Sequence, residues 1–387
     1  MAIELGSRPL VLLGAGASVE AGVPATFDMT EKLVAAISER FDYPQLTNTL
    51  NFVCGALIAY DSARGRSVYT RLDVERVFAA IELLAERNEL EVTPFVASWH
   101  PAVDVWDRVG SEPFFDQHLA SALREPKGGE SAKRLIEYLI ESKTGAGRGW
   151  IYRNLAKEMI VELREILTPP YRSLEYLTPL LDMARSRDEL TIATLNYDRT
   201  IESACKEANV PVDTGIGHWI EHRQWDWAKS GVRLMKLHGS IDWHWEQPHP
   251  EPGEMRMRTV TQSFDEPMSE DDQPVLVFGL RNKLSPDGPF LSLLREFEDK
   301  LSECDHLIVA GYSFRDEHIN EIVRRWTRDD QTRLITLIDP RPPTSPFAVE
   351  LIDSLNPSSR DPDEERPPRV DVQPETAGEA FAQLVQS

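Results

Sequence analysis

The chain has only three cysteines among its 387 residues, Cys54, Cys205 and Cys304, far apart in sequence and with no CxxC pair. That excludes a four-cysteine zinc site and a vicinal dithiol, and it suits free, buried thiols in a reducing compartment. Positive charge is also scarce. Forty-two Lys and Arg stand against 64 Asp and Glu, a formal charge of −22, and no basic run concentrates what positive charge there is. An acidic chain of this kind repels phosphate backbones, so direct nucleic-acid binding is not expected. No apolar run reaches the roughly 20 residues that cross a bilayer, and the start, Met1-Ala-Ile-Glu-Leu-Gly, lacks the basic and apolar regions of a signal peptide. The expectation is a cytoplasmic protein with no membrane contact. Histidines are few, and His218, His222 and His244 interleave with Trp219, Trp225, Trp227, Trp243 and Trp245 without an HExxH pattern. They read as part of a packed aromatic wall, and no metal is expected.

What is present is a set of short apolar runs, each ending in glycine or polar residues. Pro9 to Leu13 leads into Gly14-Ala-Gly16-Ala-Ser18, and Leu190 to Leu195 into Asn196-Tyr-Asp198. Arg233 to Leu237 leads into His238-Gly-Ser240, His306 to Ala310 into Gly311-Tyr-Ser313, and Leu334 to Ile338 into Asp339. Pro274 to Phe278 is a further strand-like run. Buried runs feeding such turns are the pattern of a doubly wound parallel sheet, which presents its functional loops at the strand C-termini. Val370 to Val372 and Glu375 to Val385 predict an edge strand and a closing helix. Between them, residues 40–174 change character. Val74, Val77, Phe78, Ile81 and Leu84, and again Ile151, Leu155, Met159, Ile160 and Leu163, recur at helical spacing. The predicted organisation is an α/β, Rossmann-like domain over 1–39 and 175–387, interrupted by a helical insertion over 40–174. Trp99, Val103, Val105, Trp106, Phe114 and Phe115 make that insertion apolar enough to serve as an interface, so a homo-oligomer is expected.

Four turns carry chemistry. Glycines in Gly14-Ala-Gly16 let backbone approach a pyrophosphate at a helix N-terminus, although the third glycine of the dinucleotide fingerprint is absent, Val19 standing there. Asn196, just past a strand, can hold a ribose hydroxyl or a water, and Asp198 can orient either one or cap the helix that follows. His238 places an imidazole at a strand end, where it can serve as a general base or simply as a satisfied structural residue. Ser313 can contact phosphate or ribose, Asp316 can cap a helix starting near Glu317, and Asp339 is a candidate ribose acceptor.

Taken in order, GAGAS-x3-GVP (14–24), TLNYD (194–198), KLHGS (236–240) and AGYSFRDEHIN (310–320) resemble the sirtuin-like proteins of bacterial anti-phage defence. The resemblance implies a sirtuin-like fold and Asn196 and His238 as catalytic residues. It further implies an NAD+ pocket lined by Gly14, Ala15, Ser18, Asp198, Gly311 and Ser313, with Gly16, Pro24, Phe27 and Asp339 as further candidate cofactor-binding residues. Deacylating sirtuins carry a four-cysteine zinc ribbon after the histidine motif, and an Asp and an Arg after the proline equivalent to Pro24. This chain has no CxxC and reads Ala25-Thr26-Phe27. The departures favour hydrolysis of the nicotinamide–ribose bond over deacylation: loss of charged nicotinamide leaves an oxocarbenium-like centre that a positioned water can capture. The resemblance also implies an effector that depletes NAD+ and a HerA-type hexameric ATPase as partner. The alternatives are a non-catalytic NAD or ADP-ribose-binding module, and a nuclease subunit of a defence complex.

Overall fold

The computed structural model describes residues 6–39, 44–67, 71–96, 99–103, 136, 149–246, 259–262, 273–276, 288–341, 344–356 and 367–384. The chain forms two compact units, one of Met1–Ala25, Leu167–Val277 and Arg281–Ser387, the other of Thr26–Ile166 and Phe278–Leu280. The sequence reading put the first boundary at 39/40; the structure groups residues 26–39 with the helical unit instead.

In the first unit, β1 (Pro9–Leu13), β2 (Glu189–Thr194), β3 (Val212–Asp213), β4 (Gly231–Lys236), β8 (His306–Ala310), β9 (Leu334–Ile338) and β10 (Val370–Gln373) form one sheet. Its order is β10-β9-β8-β1-β2-β4-β3, and every pairing in it is parallel. The chain leaves β1 toward β2 on one side and returns to β8 on the other, so the topological switch point lies between β1 and β8. Crevices at such points are where doubly wound sheets bind ligands.

β1 shows why the sheet sits where it does. All five of its residues are buried, and successive side chains point to opposite faces. Leu10 and Leu12 join a core with Phe297, Val323, Trp326 and Leu351. These come from α8 (Phe290–Ser302), α9 (Glu317–Asp329) and α10 (Pro346–Leu355). Val11 and Leu13 join a second core with Leu180, Ile201, Cys205 and Phe381, from α5 (Thr178–Ser186), α6 (Thr200–Ala208) and α11 (Ala377–Leu384). A strand apolar on both faces needs helices on both, and this one has them.

One strand-like run of the sequence falls elsewhere. Residues read as a strand over 274–278 form β7 (Gln273–Leu276), which pairs antiparallel with β5 (Gly239–Glu246) in a separate three-stranded sheet of order β6-β5-β7, with β6 at Thr259–Gln262. The reason lies in the chain path: β5 starts three residues after β4 ends, too few for the crossover that a further parallel strand requires.

The second unit holds α1 (Thr26–Glu39), α2 (Pro44–Ser62), α3 (Val74–Ala85) and α4 (Trp150–Leu167). α3 buries Val74, Val77, Phe78 and Ile81, and Asp73 caps it by accepting from the Glu75 N–H at 2.8 Å. α4 buries Ile151, Leu155, Met159 and Leu163. Trp99 is half-buried and Val103 buried; Val105, Trp106, Phe114 and Phe115 lie outside the described residues.

The three cysteines are free thiols. Burial pushes Cys54 up to about 11 and Cys205 and Cys304 up to about 12, so each stays protonated and unreactive at neutral pH. Among the described residues no helix is long and apolar enough to cross a membrane.

His306, at the start of β8, is buried with Nδ1 accepting from the Gly6 N–H at 3.1 Å and Nε2 beside the Thr336 hydroxyl at 2.9 Å. Burial holds its pKa below the ordinary histidine value. Protonation would place a second N–H against the Gly6 donor. The unfolded chain therefore binds the proton more readily, and stability present above about pH 6.5 should fall as the pH drops below it. Urea unfolding at pH 7.5 and 5.5 should show the drop. His306→Gln, which cannot titrate, should reduce it; an identical pH dependence in wild type and variant would refute the role of His306.

Candidate functional site

Strand register lines up the candidate residues on one rim. Ile338, Ala310, Leu13, Thr194 and Lys236 are successive partners across β9, β8, β1, β2 and β4. The residues that follow them on the C-terminal side are Asp339, Gly311, Gly14, Asn196 and His238. The sheet thus collects, from five separate segments, side chains that the sequence scatters over more than 300 positions.

The two glycine turns that flank the switch point are packed into each other. The Gly14 N–H donates to Ala310 O at 2.9 Å and the Gly16 N–H to Gly311 O at 3.0 Å. A Cβ on Gly14 would meet Gly311 O at 2.6 Å, and one on Gly16 would meet Gly311 Cα at 2.7 Å. Gly311 has φ +63° and would drive a Cβ to 2.3 Å from Ala17 N. Glycine is required here for backbone-on-backbone contact as well as for any ligand. After Gly14 the chain makes a 3-10 turn over Ala15–Ser18, held by the Tyr176 hydroxyl, which donates to Ala17 O at 2.7 Å. Burial keeps that phenol protonated by raising its pKa.

Asn196 ties β2 to this turn. Its Nδ2 donates to Gly14 O at 3.0 Å and to Ser18 Oγ at 2.9 Å, and its own N–H donates to Thr194 Oγ1 at 3.0 Å. Both amide hydrogens are thereby used, which leaves Oδ1 as the acceptor of the group. Asp198 is buried; its Oδ1 accepts from the Thr200 N–H at 2.9 Å and from the Thr200 hydroxyl, a turn that opens α6. Its backbone carbonyl receives Lys236 Nζ at 2.5 Å.

Lys236 is the functional-region residue that sequence reasoning passed over. Fully buried at the end of β4, it pairs with Glu202 Oε1 at 2.9 Å. Burial pushes the Glu202 carboxyl upward while Lys236 opposes the shift. A lysine inside the apolar run Arg233-Leu-Met-Lys-Leu237 was the available signal, since lysine is almost never buried without a partner.

His238 is buried at the corner between β4 and β5, where Gly239 turns the chain with φ +90°. Its Nε2 lies 2.7 Å from Asp316 Oδ2, and its buried Nδ1 has no hydrogen-bond partner among the described residues. The Tyr197 ring is 6.2 Å away. Asp316 is also the N-cap of α9, as the sequence suggested, with Oδ1 accepting from the His318 N–H at 3.0 Å. Its pairing with His238 was invisible in the sequence, where 78 residues separate the two.

The remaining predicted residues are placed as follows. Ala15 is half-buried in the 3-10 turn, Pro24 is buried, and Ser313 is exposed in the loop after β8. Asp339 Oδ1 accepts from the Arg341 N–H at 2.9 Å. Phe27 falls in the helical unit, in the first turn of α1, with the Arg71 guanidinium 5.9 Å over its ring. The rings of His218 and His222 lie 4.4 Å apart on α7 (Ile216–His222), His218 Nδ1 bonds Gln224 O, and Trp225 stacks on Trp227 at 5.4 Å. No group of three or more His, Cys, Asp or Glu poised to hold a metal occurs among the described residues.

Comparison with known proteins yields three findings. No curated relative matches the chain. Solved structures similar to it include a SIR2 homologue in complex with NAD, at 13% identity and TM-score 0.42, covering 98% of this chain and 88% of that one. Another is a mutant SIR2 homologue in complex with 2'-O-acetyl ADP ribose, at 14% identity and TM-score 0.41, covering 98% and 91%. Residues 190–352, which contain Asn196, His238, Gly311 and Asp316, match the model of the SIR2-like domain. With its seven parallel strands and flanking helices, the chain carries a sirtuin-like Rossmann fold.

Proposed function

We propose that this protein hydrolyses NAD+ to ADP-ribose and nicotinamide. The observation that carries the reading is the pairing of two polar groups at the ends of adjacent strands: Asn196, locked onto the glycine turn, and His238, buried with one ring nitrogen held by a carboxylate and the other without a partner among the described residues. An isolated buried imidazole nitrogen is costly unless something occupies it, and a water or ribose hydroxyl does so chemically.

In this reading the turn over Gly14, Ala15, Gly16 and Ser18, with Gly311 and Ser313 across the switch point, receives the diphosphate, and Pro24, Asp198 and Asp339 contribute to the rest of the nucleotide pocket. NAD+ supplies a cationic leaving group that departs as a neutral base. Asn196 orients the ribose or the water through Oδ1. His238 Nδ1 takes the proton of the attacking water as its oxygen bonds to the ribose carbon; the carbon–nitrogen bond breaks, and its electron pair leaves with nicotinamide. The proton then passes to solvent. The absence of any CxxC in the sequence supports hydrolysis over deacylation. The wider role follows the sequence resemblance: an anti-phage effector that depletes NAD+, a homo-oligomer through the helical insertion, and a HerA-type ATPase as partner.

The test is incubation of the purified protein with NAD+, with nicotinamide and ADP-ribose resolved by chromatography. Equimolar appearance of both is expected. Saturable NAD+ binding with no nicotinamide release would favour the non-catalytic module, a reading to which the structural commitment of both Asn196 amide hydrogens lends weight.

A further inference from the structure

We infer that Asp316 is a positioning residue that dictates the tautomer of His238, holding the proton on Nε2 so that Nδ1 is the basic nitrogen. The inference rests on the NAD+-hydrolase reading for its catalytic consequence, but the tautomer assignment stands on geometry alone. A carboxylate oxygen can only accept, so at 2.7 Å from Asp316 Oδ2 the His238 Nε2 must donate. Both side chains are buried, at 7% and 6% exposure, so water does not compete for the bond.

Asp316 is held in this place by a hydrogen-bonded loop after β8. Its carboxylate serves both the histidine and the helix: Oδ2 meets His238, and Oδ1 accepts from the N–H groups of His318 at 3.0 Å and Ile319 at 3.4 Å. Its own N–H donates to the Tyr312 hydroxyl at 3.1 Å, and that hydroxyl lies 3.0 Å from Asn320 Oδ1. Asn320 Nδ2 donates in turn to Phe314 O at 3.0 Å. Phe314 adopts φ +53°, uncommon for a residue with a bulky side chain, and its buried ring sits against Tyr312 at 4.7 Å and Phe347 at 5.6 Å. Such a conformation persists where its surroundings over-determine it, and here it aims a carboxylate at an imidazole.

This division of labour makes Asp316→Asn a sharp probe. Asn caps helices as well as Asp does, and the cap demands that the amide oxygen face the His318 and Ile319 N–H groups. The amide nitrogen must then face His238 Nε2, which has to accept. The proton moves to Nδ1 and the basic nitrogen is lost, with the fold kept. Asp316→Ser also caps but leaves Nε2 without its carboxylate, so the two tautomers mix.

The experiment combines nitrogen-15 histidine spectra of the ligand-free protein, thermal melting, and nicotinamide release. The wild-type spectrum is expected to show His238 with the proton on Nε2, Asp316→Asn with the proton on Nδ1, and Asp316→Ser with a mixture, at closely similar melting temperatures. Asp316→Asn should lower kcat on the order of 10²–10⁴-fold, the span of general acid–base catalysis. Added to His238→Ala it should cause no further loss, because it acts through that ring. An Nε2–H tautomer retained in both Asp316 variants, or a kcat loss that multiplies with that of His238→Ala, would overturn the inference. Wild-type protein that releases no nicotinamide yet shows the predicted tautomer switch would instead sink the hydrolase reading and leave the positioning role standing.

Discussion

A His238→Ala variant is expected to release nicotinamide from NAD+ on the order of 10²–10⁴-fold more slowly than the wild type, the range by which a positioned general base accelerates a reaction. Alanine also strips Asp316 Oδ2 of the N–H that meets it at 2.7 Å, so some stability goes with the activity. His238→Gln separates the two effects, because its amide can still donate to Asp316 while offering no base. It should melt closer to wild type and be nearly as inactive as the alanine variant. Asn196→Ala should also abolish turnover, but by a different route. It removes the donor to Gly14 O, which keeps the Ala17 N–H at 2.9 Å, and the donor to the buried Ser18 Oγ; a buried polar group that loses its partner costs about 1–3 kcal/mol. Asn196→Asp is more telling still, since it sets a carboxylate oxygen against the Gly14 carbonyl and should open the turn. Chromatographic assays beside thermal melts read all four variants. Full turnover in His238→Ala and Asn196→Ala would end the assignment of these residues to catalysis.

Much of this fold was readable in the sequence because its central strands, β1 and β8, are buried on both faces. The runs that became β1, β2, β8 and β9 are mostly apolar and lead into small or polar residues, a signal that needs no knowledge of partners, whereas β4 carries Arg233 and Lys236 and β10, Val-Asp-Val-Gln, has the mixed, part-exposed pattern of an edge strand. Helices α3 and α4 were equally legible from their spacing. What misled was β7, whose apolar run is indistinguishable from a parallel strand until the tight turn after His238 is known to start an antiparallel sheet. The site divides in the same way. Glycines 14, 16 and 311 announced a close approach, but sequence could not say that they approach one another. Asp198 and Asp316 both read as caps; Asp316 is the N-cap of α9, whereas Asp198 lies one residue before the Arg199 N-cap of α6 and bonds Thr200, and only the folded chain reveals that the second oxygen of Asp316 belongs to His238. Pairings over 38 residues for Lys236 with Asp198 and 78 for His238 with Asp316 are properties of strand order, not of local pattern.

Lys236→Met should destabilise the α/β unit by about 3–5 kcal/mol, the usual consequence of removing one partner of a buried ion pair. The lysine is wholly inaccessible, and its ammonium makes two bonds, one to Glu202 Oε1 and one to Asp198 O. Methionine matches the length of the lysine stem, so packing is largely kept and the loss is electrostatic: the Glu202 carboxyl, already pushed toward protonation by burial, loses the cation that opposes that shift. Two consequences separate this account from a simple cavity effect. Glu202→Gln in the Lys236→Met background should recover part of the loss, because a neutral amide is cheaper to bury than an unpaired carboxylate. The penalty of Lys236→Met should also shrink as the pH is lowered, because protonation of Glu202 removes the stranded charge from the folded state. Tryptophan fluorescence is a suitable readout of urea unfolding, since Trp219, Trp227, Trp243 and Trp326 lie in one core of this unit. A Lys236→Met midpoint indistinguishable from wild type, or a penalty that grows toward low pH, would show that the pair does not hold the end of β4 beneath His238 in the way its geometry indicates.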